Sequence, residues 1–180
     1  MKKVDISVLQ FPIGKYEKPA HFTVELMENC IAIIKNFPEN LKKEVENLTE
    51  NQLDTPYREN GWTIRQVIHH CADSHMNSFI RFKLALTEDQ PVIRPYFENR
   101  FAELADSKNF EISPSLQILD GLHQRWTVLL QSLSEEDLQR VFVHPEHGKK
   151  FSLQENIAIY AWHCQHHLAH ITELKKSKNW

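Results

Sequence analysis

Apolar residues along the chain recur mostly at steps of three and four, the period of helices that bury one face. From Phe22 to Phe37 the pattern runs through Leu26, Cys30, Ile33 and Ile34, and Pro38 is expected to stop that helix and open a shorter one through Leu41, Val45 and Leu48. Thr49 with Gln52 and Thr63 with Gln66 form capping-box patterns. The second pair predicts a helix running to about Leu86, with Ile64, Ile68, Cys71, Phe79, Phe82 and Leu86 on its core face and His75 near the centre of that face. Gln66, His70, Ser74, Asn77 and Arg81 gather on a separate polar stripe, which faces either solvent or a cleft. Ser113 as cap and Pro114 at the first helical position predict another core helix, carrying Leu116, Leu119, Leu122, Trp126, Leu129, Leu130 and Leu133. Ser134 with Asp137 starts a brief turn or helix, and VFVHPEHGKKFSL reads as two short strands around PEHG, with His144 and His147 in or beside the hairpin.

The last helix, opened by Ser152 with Glu155, holds the densest chemistry. Its segment IAIYAWHCQHHLAHITEL, Ile157 to Leu174, contains four histidines. On a helical wheel Leu153, Ile157, Tyr160, Cys164, Leu168, Ile171 and Leu174 share one apolar face, while His163, His167 and His170 run along its edge and His166 lies further towards solvent. Residues four apart on a helix are neighbours whose imidazoles can converge on one cation. His163 with His167 is such a pair, and so is His166 with His170; geometry prefers the first without excluding the second. A catalytic zinc-type site takes three protein ligands and keeps an open position, so a third ligand must come from elsewhere. His69, His70 and His75 are the candidates. A histidine at the centre of a core face, as His75 is, is expected to be held neutral by a hydrogen bond, whereas His70 has Asn77 and Arg81 beside it to hold a polar or anionic substrate group.

Composition narrows the setting. The 180 residues, 41% hydrophobic and 25% charged with only 4 Gly and 8 Pro, fit one globular domain spanning residues 1–180 without linkers or repeats. A net charge of -3 gives no electrostatic footprint for nucleic acid. Lys2 and Lys3 followed by Asp5 leave no secretory h-region, and no apolar run approaches the ~20 residues that span a bilayer, so a soluble cytoplasmic protein with no membrane partner is expected. Cys30, Cys71 and Cys164, widely spaced and without a CxxC, are expected to be reduced core thiols. The segment Phe11–Pro19 reads as an extended arm, and the polar stretch Asp54–Gly61 as a loop long enough to overhang a site. The crossover EDQPVIRPYFENR, with a short helix from Phe97 to Leu104, brings Arg94, Tyr96 and Arg100 into consideration.

The runs GWTIRQVIHHCADSHMNSFIRFKLAL and AWHCQHHLAHITEL, with QLDTPYRENG and FPIGKYEKP, resemble the YfiT-like branch of the DinB-like superfamily, metal-dependent hydrolases of bacilli, over almost the whole chain. The resemblance implies an all-α fold, a four-helix up-down-down-up bundle, here with short extra helices and a small hairpin. It also implies a homodimer and one divalent ion per subunit, zinc or nickel, held by three histidines. Carried onto this sequence, the ligands are His70, His163 and His167, with His69 as the fallback. Three neutral imidazoles leave the ion's charge uncompensated and acidify a bound water towards a pKa of ~7. The implied activity is hydrolysis of a small-molecule substrate, with Arg81 or Asn77 steadying developing charge and no base assignable to Asp73 or Glu155. DinB-like relatives are also associated with bacillithiol, so a thiol S-transferase is the alternative. A non-catalytic metal-binding or dimerisation protein is the third reading.

Overall fold

The computed structural model describes residues 6–146 and 148–180, with side chains described from Val8 onward; Lys2, Lys3, Asp5 and His147 lie outside the described residues. The elements are α1 (Ile6–Gln10), α2 (Val24–Val45), α3 (Glu50–Leu53), α4 (Ile64–Thr87), α5 (Glu98–Phe101), α6 (Ala105–Lys108), α7 (Ser113–Gln131), α8 (Glu135–Gln139), β1 (Val141–His144), β2 (Lys149–Ser152) and α9 (Leu153–Lys178). The two strands pair antiparallel with Val141 opposite Ser152, forming the expected hairpin.

Local chemistry explains most boundaries. Thr49, Thr63 and Ser134 all form complete capping boxes. Ser152 caps α9 by accepting from the Glu155 amide, but the Glu155 carboxylate pairs instead with Lys18 at 2.6 Å. Other expectations also need correction. Ser113 does not cap α7; Ile112 is the N-cap, without a side-chain hydrogen bond, and Pro114 still lies in the first turn, where its missing amide hydrogen is harmless. Pro38 does not end a helix either, because α2 runs straight through it. Phe37, Leu41 and Val45, all nearly inaccessible, lie on both sides of the proline in one buried face, and this packing outweighs the lost backbone bond. Leu48 lies beyond the helix end. The crossover holds two one-turn helices, α5 and α6, in place of a single Phe97–Leu104 helix.

The four long helices, α2, α4, α7 and α9, form the bundle. α2 packs on α7 and α9, and α4 packs on the same two from the other side. Side-chain contacts give the directions. Lys175 near the end of α9 meets Glu44 near the end of α2, so these helices run parallel. His69 meets Ser115 and His75 meets His123, so α4 and α7 run parallel. Along α4 and α9 the contacts His70–His163, Ser74–Tyr160 and Ser78–Asn156 descend in opposite order, so that pair is antiparallel. The resulting sense is up-down-down-up. The core cluster joins Ile34, Phe37 and Leu41 of α2 to Ile68 and Phe82 of α4, Leu119 and Trp126 of α7 and Ile157 and Ile171 of α9. Cys30, Cys71 and Cys164 are free, buried thiols, as expected.

Arg65 is only 3% exposed, with its guanidinium on Glu50, on Asp54 at 2.7 Å and on the Phe110 carbonyl at 2.8 Å. It ties α4 to α3 and to the crossover. Because both carboxylates are largely solvated, the expected loss in Arg65→Met is set mainly by the orphaned carbonyl, about 1–3 kcal/mol in a urea titration. Among the described residues no helix is long and apolar enough to cross a membrane.

Candidate metal centre

At one end of the bundle the polar stripe of α4 meets the histidine edge of α9. His70 Nε2 lies 3.2 Å from His163 Nε2, and nitrogens of His70, His163 and His167 all lie within 4.8 Å of one another. In a tetrahedral site with metal–nitrogen bonds of about 2.0–2.1 Å, neighbouring ligand atoms stand roughly 3.3 Å apart. The His70–His163 spacing fits that geometry, and two bare lone pairs cannot face each other so closely without a proton or a cation between them. His167 Nδ1 is buried without a hydrogen-bond partner. Burial, and then the neighbouring imidazoles, push His70 down to about 3 and His163 and His167 well below the ordinary histidine value. All three rings are neutral at pH 7, the state a metal ligand requires.

A second group, His166, His167 and His170, also has nitrogens within 4.8 Å of one another. A neutral imidazole offers one lone pair, so His167 can serve only one of the two groups at a time. The first group approaches an ion from two facing helices. The second comes from α9 alone and lines one side of any ion it holds.

His69 is turned away from both groups, its ring nitrogens reaching Ser115 Oγ at 2.8 Å and the Phe110 carbonyl at 3.3 Å, which ends its candidacy as a ligand. His75 is fully buried and hydrogen-bonded, as expected for a core histidine, and its partners are His163 and His123. Cys71 and Cys164 stay protonated because burial raises their thiols. His166 is not on the solvent side; it is 7% exposed, stacked on Trp162 at 4.4 Å and close to Phe11. The N-terminal arm covers it. Gln10 O takes a hydrogen bond from His170 Nε2, and Gly14 O takes one from Trp162 Nε1.

The loop after α3 does overhang the site. Tyr57 stacks on His170 at 3.9 Å, and Trp62 stands 4.6 Å from His70. Together they roof one side of a cleft of about 680 Å³ into which the histidines open. His70, Ser74 and Arg81 of the α4 stripe line it, joined by Arg58, Tyr96, Tyr160 and His144. Gln66 instead bonds the Ala102 carbonyl, and Asn77 bonds Asp73 O of its own helix, so Asn77 is not placed for substrate. Arg100 lies over Phe97 at 4.5 Å, and neither it nor Arg94 lines the cleft. Asp73 is half-buried, its carboxyl raised to about 6 by burial and Asp106, and it too is outside the cleft lining, as is Glu155.

Sequence reasoning passed over His123 and the covering role of the arm. His123 had a visible signal, since Leu119, His123, Trp126 and Leu130 are spaced 4, 3 and 4 along the core face of α7. The arm's contacts join residues about 150 apart and leave no periodic trace.

The helix order and the histidine cluster at one end place the chain among four-helix bundles that carry a candidate metal centre. The chain belongs to the DinB superfamily, whose model matches residues 34–171. It is 48% identical over 172 residues to "Putative metal-dependent hydrolase YfiT" of Bacillus subtilis, covering 96% of this chain and 97% of that one. A Bacillus cereus protein that also carries the designation "Putative metal-dependent hydrolase" is 52% identical, with 96% of this chain and 98% of that one covered. The solved structure of Bacillus subtilis YfiT, described as having an unusual four-helix bundle topology, superposes with a TM-score of 0.94 over 96% of this chain and 99% of that one.

Proposed function

We propose that this protein is a metal-dependent hydrolase in which His70, His163 and His167 hold one divalent ion, zinc or nickel, beneath a substrate cleft. The observation that carries the reading is the convergence of neutral imidazole nitrogens from facing helices at ligand spacing, at the floor of an open cleft. A divalent ion there supplies Lewis acidity, lowering the pKa of a coordinated water or thiol and polarising a carbonyl or phosphoryl oxygen. The chain supplies the rest. Trp62 and Tyr57 shield the histidines from bulk water, which strengthens every electrostatic contact beneath them. Arg81 and Arg58 place two cations on the cleft lining, where they bind an anionic substrate group and steady negative charge. Tyr160 OH is held between Ser74 O, at 3.1 Å, and Ser74 Oγ.

A second reading uses the same ion to activate a low-molecular-weight thiol of the bacillithiol kind. The observation favouring it is that the carboxylates on the cleft lining, Glu98 and Glu146, are exposed, whereas Arg58 and Arg81 are partly buried. That leaves no sheltered carboxylate to act as base there among the described residues, and two cations suited to an anionic thiol.

One experiment separates them. Zinc-loaded protein is offered ester, amide and phosphate substrates, and in parallel an electrophile with and without bacillithiol. Turnover in the first panel, with kcat/KM reduced about 10- to 100-fold in Arg81→Met, supports the hydrolase. Conjugate formation without hydrolysis gives the thiol reading. Zinc-loaded protein inert in both sets refutes catalysis.

A further inference from the structure

Pro38 sits inside α2 and has no amide hydrogen, so the helix provides no donor for the carbonyl four residues earlier, Ile34 O. That oxygen is satisfied from a different helix. His123 Nδ1 of α7 reaches it at 2.6 Å. A carbonyl oxygen only accepts, so His123 carries its hydrogen on Nδ1, and in a neutral ring Nε2 is then bare. His75 Nδ1, 2.7 Å from that bare nitrogen, must donate to it. The remaining His75 nitrogen, Nε2, therefore accepts, and its partner at 3.1 Å, His163 Nδ1, donates. His163 Nε2 is left with its lone pair on the side of His70. No other assignment of hydrogens on three neutral rings satisfies every contact.

We infer that Pro38, His123 and His75 are positioning residues: through one chain of hydrogen bonds they fix the tautomer and ring orientation of His163, so that its Nε2 lone pair faces the metal position. The rings are packed so that none can turn away. His75 lies between Phe37, Trp126 and Tyr160, with ring centroids 5.2, 6.0 and 5.4 Å away, and His123 lies against Phe37 at 5.7 Å. The chain requires both rings neutral, since a protonated ring would have two donors and no acceptor, and each nitrogen of His75 and His123 already has its one partner. Ligand histidines commonly give their second N–H to a carboxylate, a carbonyl or water. Here two further imidazoles intervene before the carbonyl. The significance for the metal rests on the reading proposed above; the tautomer does not.

The test separates the two. In ion-free protein labelled with ¹⁵N histidine, long-range proton–nitrogen spectra show His163, His75 and His123 all as the Nδ1–H form. His163 found as Nε2–H overturns the proposal whatever binds. His75→Phe keeps the ring volume but removes both nitrogens. It leaves the helical circular dichroism intact, releases His163 into a mixture of tautomers, and weakens zinc binding about 10- to 100-fold in a chelator competition. His75→Gln, whose amide can both accept and donate, recovers part of that loss. Pro38→Ala returns an N–H to Ile34 O in competition with His123 and moves the His163 signals the same way without touching any ring, which keeps the proposal testable should His75→Phe fail to fold. His163 signals and zinc affinity unchanged in Pro38→Ala and in a folded His75→Phe would refute it.

Discussion

His163→Ala weakens zinc or nickel binding by at least about 100-fold in a competition titration, the loss expected for one of three protein ligands in a site whose total binding energy is on the order of 10–16 kcal/mol. His163 is central because its two nitrogens face different ways, one towards His70 and one towards His75. The comparison that gives the result meaning is His69→Ala. His69 adjoins His70 in the sequence, but its ring bonds Ser115 and Phe110, so its loss lowers thermal stability and leaves metal affinity within a few-fold of the parent. Equal loss of affinity in both variants would remove the three-histidine assignment.

Acid is expected to unfold the ion-free protein through its buried histidines, as pH falls from about 6 towards 4. His70 is pushed to about 3 and His123 to about 4, each chiefly by burial, whereas in the unfolded chain each returns to about 6.5. Between those limits the unfolded state binds more protons, so stability is full above pH ~6.5 and is lost as pH falls through the window towards 4. Shifts of this size correspond to about 3 to 5 kcal/mol per histidine. His166 and His170, also depressed to about 4, add to it. Several such groups match the ~5–15 kcal/mol that holds a domain folded. Circular dichroism against pH should show a cooperative transition between about pH 4 and 6 taking up several protons, and zinc should move its midpoint to lower pH, because the bound histidines must stay unprotonated. A transition uptaking a single proton, or one unmoved by zinc, would contradict this account.

Where a decision depended on neighbours in sequence, it could be read there. Thr49, Thr63 and Ser134 cap helices by contacts three residues away, and the hairpin around PEHG is equally local. The bundle order and the ligand positions came from resemblance, and the fold bears out the first. Pro38 was misjudged because a local penalty was weighed without the tertiary face around it. His166 was misplaced because its cover comes from Phe11 and Trp162, and the arm's position over α9 is invisible to a wheel. His69 and His70 are adjacent, so periodicity could not choose between them. The packing of α7 and the crossover did, by offering His69 the Ser115 hydroxyl and the Phe110 carbonyl. Asn77 illustrates the opposite error, since a polar residue on the right stripe bonds its own backbone.

The contacts His70–His163, Ser74–Tyr160 and Ser78–Asn156 step along α4 and α9 at intervals of close to one turn. Leucines sliding past one another by a turn, about 5.4 Å, find a similar surface at the new position. Imidazole, hydroxyl and amide do not, because each would face a group of the wrong size and polarity. The seam therefore acts as a vernier: two long helices lock at the single offset that brings the histidines face to face, and an error in assembly at the far rung would misalign the ring nitrogens at the mouth.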